Sequence, residues 1–84
     1  MKRKADTVAI PKSLAQMAVD STWQPWAEQG WTLHHAPGGW VLAVNLDRRM
    51  ATTRAQRLST LVKRLERGAF GYKRFLVFKQ FHPS

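Results

Sequence analysis

The sequence predicts a small α+β fold, and three observations predict it. Two apolar runs of period two flank a Pro-Gly-Gly turn, one later run repeats leucine at helical spacing, and the C-terminal segment is rich in aromatic and β-branched residues. The expected order is α-β-β-α-β: an N-terminal helix, a β-hairpin, a long amphipathic helix and a C-terminal strand. The sheet is expected to have three strands, with the helices packed on one face. At 84 residues there is room for one modest core. Residues 1–8 read as a flexible basic tail and residues 9–84 as a single domain.

The first helix opens at "SLAQ", where Ser13 and Gln16 have the spacing of a capping box. Leu14, Met17, Ala18 and Ser21 share one of its faces. It is expected to end by Gln24, because Pro25 disfavours helical geometry in the residue before it. "PWAEQ", closed by Gly30, is able to form a further turn.

From Trp31 the period is two. "WTLHHA" and "WVLAVNL" flank "PGG", which suits a hairpin with Gly38-Gly39 or Pro37-Gly38 as a two-residue loop. Either loop places Trp31, Leu33, His35, Trp40, Leu42, Val44 and Leu46 on one face, so Trp31 and Trp40 read as core. Trp23 and Trp26 flank Pro25 and share no strand phase. They lock the first helix to the core, or they form an exposed aromatic platform.

The second helix is expected over residues 53–67. Thr53 with Gln56 repeats the capping-box spacing, Leu58, Leu61, Val62 and Leu65 form an apolar stripe, and Gly68 suits a left-handed cap. "YKRFLVFKQF" then reads as a strand. A right-handed crossover would lay it parallel to the second strand and beside the first, in the order 2-1-3.

Charge points to a class of partner. Fourteen basic residues stand against five acidic ones, a net charge of +9. They are segregated: residues 13–46 contain no lysine or arginine, whereas residues 47–84 contain ten basic and two acidic side chains. A one-signed field of this kind attracts polyanions, and nucleic acid is the first candidate. Arg57, Arg64 and Arg67 run down a flank of the second helix and Lys63 lies on its polar side. Arg57 and Arg67 are about 15 Å apart along the axis, enough to meet several phosphates. Arg48, Arg49 and Arg54 gather about the expected helix start, where free amides favour an anion. On the expected last strand, Lys73, Phe75, Val77, Lys79 and Phe81 share a face. Lysine interleaved with aromatics suits single-stranded nucleic acid, and equally a protein partner or a homodimer.

"VLAVNL" looks like the shorter ribonucleoprotein motif of RNA-recognition domains. "RGAFGYKRF" has the basic, glycine and aromatic flavour of the longer one, but Leu42 occupies the position where that family stacks a base on an aromatic ring and the longer motif matches only at Arg67 and Gly68, so the chain departs from the family pattern.

Other chemistries find little support. With no cysteine there is neither a disulfide framework nor a thiolate metal site, which fits a reducing cytoplasm. His34 and His35 are neighbours on a strand and point to opposite faces, so they cannot share a metal ion, and His35 reads as half-buried. The five carboxylates show no useful pairing, and no enzyme, cofactor or metal is expected. No run approaches the roughly 18 apolar residues of a membrane span. The resulting expectation is a basic nucleic-acid-binding accessory protein without evident sequence specificity. The alternative is an inhibitor or adaptor, of the kind phages and plasmids encode, that docks on an acidic protein or nucleoprotein complex. Trp23, Trp26, Phe75 and Phe81 would then be its apolar anchors.

Overall fold

The computed structural model describes residues 13–82. The predicted tail over residues 1–8 lies outside them. The chain has the expected α+β class, a three-stranded antiparallel sheet with helices. No helix among the described residues is long and apolar enough to cross a membrane.

Helix α1 (Leu14–Ala18) starts at the predicted capping box. Ser13 Oγ accepts from the Gln16 amide, and Gln16 Oε1 accepts from the Ser13 amide, both at 3.2 Å. Helix α2 (Gln24–Ala27) carries Pro25 in its first turn, where the missing N–H has no intrahelical role. Gly30, at φ +98°, then turns the chain into the sheet.

Strands β1 (Trp31–Ala36), β2 (Trp40–Asn45) and β3 (Met50–Ala51) form an antiparallel meander in the order β1-β2-β3. The hairpin departs from expectation by one residue. Ala36 pairs with Trp40, so the loop is Pro37-Gly38-Gly39, with both glycines at positive φ. Because strand side chains alternate, that residue turns β2 over. Trp31, Leu33 and His35 pair with Asn45, Ala43 and Val41, while Trp40, Leu42 and Val44 belong to the opposite face. Trp31 is 2% exposed, as expected, but Trp40 is half-buried on the other side, Leu46 is exposed, and His34 rather than His35 is half-buried.

After Ala51 the chain stays with the sheet through a bulge. Val44 pairs with Ala51 and Val41 bridges Ala55, so three residues of one chain segment oppose two of the other. Thr52 fills the gap: its amide donates to the Ala43 carbonyl at 2.9 Å, and its Oγ1 accepts from the Ala43 amide at 3.1 Å. Residues 53–55 are thereby kept from starting a helix. Helix α3 (Leu58–Glu66) begins at Leu58, with Arg57 as N-cap, five residues after the predicted start at 53, and the Thr53–Gln56 capping box does not form. Gly68, at φ +71°, follows it as predicted.

The C-terminal segment is a helix, α4 (Tyr72–Phe81), where a strand was predicted. Just before it Gly71 exchanges two hydrogen bonds with Ala51, at 3.0 and 3.1 Å, on the outer edge of β3. Phe75 and Phe78 then face inward at helical spacing.

Helices consequently cover both faces of the sheet rather than one. Met17, Trp23, Trp31, Val41, Ala43, Leu58, Leu61 and Leu65 form the core beneath α1 and α3. Ala36, Leu42, Val44 and Ala51 form a second core with Phe75 and Phe78 of α4. Asn45 is fully buried between strand and loop, donating to the Gln29 carbonyl at 3.0 Å and accepting from the Arg48 amide at 3.1 Å.

Candidate nucleic-acid interface

The site is built by the turn that joins α3 to α4. Lys63 and Arg64 stand in the last turn of α3, where positive charge complements the helix dipole. Gly68 reverses the chain, Phe70 packs edge-on against Trp31 with ring centroids 4.9 Å apart, and Gly71 hooks to Ala51. Two rigid anchors thus fix the start of α4 beside the end of α3. Between them lies a groove of about 680 Å³ lined by Arg64, Arg67, Lys73 and Arg74, with Tyr72 and Thr53.

The start of α4 is electrostatically unusual. It has no side-chain cap and no acidic residue in its first turn. The first intrahelical bond of the turn is the 3.3 Å one from the Phe75 amide to the Gly71 carbonyl, which leaves the amides of Tyr72, Lys73 and Arg74 without intrahelical acceptors. Lys73 and Arg74 add positive charge at the positive end of the dipole, an arrangement that costs stability. All three residues line the groove.

Arg64 holds the opposite wall. The bulge leaves the carbonyls of Thr53 and Arg54 outside the ladder, and Arg64 Nη1 donates to them at 2.9 and 2.8 Å. Arg64 is therefore a positioning residue as well as part of the cationic lining.

A second cavity, of about 410 Å³, adjoins the groove. Its apolar wall includes Ala36, Leu42, Val77 and Phe81, and its basic members are Arg54 and Arg74. Thr53 and Arg74 line both cavities. The Arg54 guanidinium carbon lies 5.5 Å from the centre of the Trp40 ring, a cation–π distance.

Of the basic residues singled out in the sequence, the groove gathers Arg64, Arg67 and Lys73, and the apolar cavity takes Arg54. Arg48 and Arg49 sit in the exposed turn between β2 and β3, with Arg49 at φ +57°. Arg57 and Lys63 are exposed on α3, and Lys79 is in the last turn of α4. The expected anion site of Arg48, Arg49 and Arg54 about a helix start is not formed, because residues 53–55 follow the sheet. The expected lysine-aromatic strand face is likewise replaced by a helix. Trp23 and Phe75 are core residues, 2% and 8% exposed, and cannot serve as surface anchors. Trp26 is half-buried against the first core and Phe81 against the second. Sequence reasoning missed Arg74. Its signal was "RGAFGYKR", in which two glycines bracket a turn flanked on both sides by basic residues.

The histidines form a separate cluster at the far end of α4. His34 is stacked edge-on to Phe78 at 4.8 Å and to His82 at 5.8 Å, and His82 Nε2 donates to the His35 carbonyl at 3.2 Å. Burial, and then the neighbouring charge of His82, lower the His34 pKa below its ordinary value of 6.5. Among the described residues no group of three or more histidines, cysteines or carboxylates is arranged to hold a metal ion.

The chain gives no significant match to any protein-family model, curated protein or solved structure.

Proposed function

We propose that the protein is a nucleic-acid-binding accessory module that grips phosphates in the groove between α3 and α4, and that it is not an enzyme. The observation that carries this reading is the convergence of Arg64, Arg67, Lys73 and Arg74 on one groove that also contains the uncapped start of α4. Guanidinium forks and backbone amides are complementary to phosphate oxygens, and neither reads base sequence. Among the described residues, those that line the groove and the adjoining cavity include no carboxylate.

Fluorescence anisotropy of labelled oligonucleotides, titrated at several salt concentrations, tests the proposal. Four phosphate contacts give a log–log salt slope of roughly −3 to −4. Absence of binding near 100 mM salt defeats it.

A second reading draws on Tyr72, Leu76 and Val77 of α4, which are 54%, 44% and 50% exposed. This apolar patch beside the groove suits a protein contact within a nucleoprotein complex, with Tyr72 as an anchor residue.

A further inference from the structure

We infer that the ligand is single-stranded, with one unstacked base seated in the apolar cavity beside the phosphate groove. This rests on the phosphate reading above and adds to it the class of nucleic acid. The two cavities share Thr53 and Arg74, so a strand whose phosphates lie along Arg67, Lys73 and Arg74 passes the mouth of the second cavity. That cavity, about 410 Å³, falls in the range of roughly 300–1,000 Å³ typical of small-molecule pockets. Its lining also has the right chemistry. Phe81, Leu42 and Val77 offer apolar surface to a base face, and Arg54 and Arg74 offer planar guanidinium groups to stack on it or to bond its edge. The Arg54 guanidinium carbon lies 5.5 Å from the centre of the Trp40 ring, a cation–π distance. A duplex keeps its bases stacked inside the helix and reaches only the groove. A single strand reaches both.

The test is anisotropy at fixed salt with four probes of equal length: a single-stranded DNA, a single-stranded RNA, the DNA duplex, and a single-stranded DNA made entirely of abasic sites. Wild-type protein is expected to bind the single strands about tenfold tighter than the duplex or the abasic strand, the size of one base-stacking contact. Val77→Trp, which fills the cavity from a half-exposed position, is expected to bring single-strand affinity down to the duplex level. An abasic strand bound as tightly as the normal one overturns the inference without involving any altered protein. So does equal binding of single strand and duplex. If those equal affinities still fall with Arg67→Ala, the phosphate groove stands and only the base pocket is lost. If no probe binds, both readings fail.

Discussion

Arg64 reaches across the molecule to Thr53, Nη1 to carbonyl oxygen at 2.9 Å, and the same nitrogen meets the Arg54 carbonyl at 2.8 Å. One arginine of a basic helix thereby ties α3 to the bulged end of the sheet, while Arg67, one turn further on, is exposed and free to meet a ligand. Two residues of the same type, three apart, have separable roles. Arg64→Ala is expected to destabilise the fold by about 1 kcal/mol, because both carbonyls lose a charged donor while the Thr53 carbonyl keeps the Thr52 hydroxyl and the Arg54 carbonyl is open to water. Arg67→Ala should stay within about 0.5 kcal/mol of the parent while weakening nucleic-acid binding. Urea unfolding of both variants, beside anisotropy, separates the two roles.

Gly71 offers a second separation of stability from binding. It is the N-cap of α4 with an extended backbone, and a Cβ built there meets nothing within 4 Å. Gly71→Asp therefore supplies the missing cap and an acid at the positive end of the dipole. A gain of a few tenths to about 1 kcal/mol in stability is expected. The same carboxylate sits in the groove and repels phosphate, so binding should weaken. A variant that is more stable and binds more tightly would contradict the groove assignment.

The three-residue hairpin loop makes its own prediction. Leu61 is wholly buried, and Leu61→Ala should cost about 2–5 kcal/mol. Trp40, on the opposite face and half-buried, should cost less as Trp40→Ala despite its greater size. Chemical denaturation of the two variants compares them. A larger loss at Trp40 would mean that Trp31 and Trp40 share the leucine core after all.

The histidine cluster predicts a pH dependence. His34 has a folded-state pKa below 6.5, so the unfolded chain takes up its proton first as pH falls. The corresponding stability is present above pH 6.5 and is lost as pH drops through 6.5 toward the lowered native value. His34→Gln should flatten that part of the curve, measured by thermal unfolding between pH 5 and 8. An unchanged slope would remove His34 as its source.

Local signals in this sequence were legible where local physics decides the outcome. The Ser13–Gln16 capping box, the leucine stripe of α3, the two hairpin strands and the Gly68 turn all follow from residues within one or two turns of each other. The failures have tertiary causes. A single loop residue inverted β2, which side-chain alternation amplifies into a different pair of faces. Thr53 and Gln56 imitate a helix start, but the Val41–Ala55 pairing claims that segment first. In "YKRFLVFKQF" four consecutive apolar residues satisfy both periods, and β-propensity favours the strand. Packing of Phe75 and Phe78 on Leu42 and Val44 decides for the helix. The cationic groove inherits that error, since Lys73 and Arg74 occupy one helix turn in the fold but opposite faces of a strand.

Backbone amide shifts of ¹⁵N-labelled protein, followed by NMR as an oligonucleotide is added, test the central claim most directly. The account predicts the largest changes at Arg64 and from Arg67 to Arg74, with little change over residues 24–30, in α2 and the turn after it. Changes centred on α1 and α2, or none at saturating oligonucleotide, would contradict it.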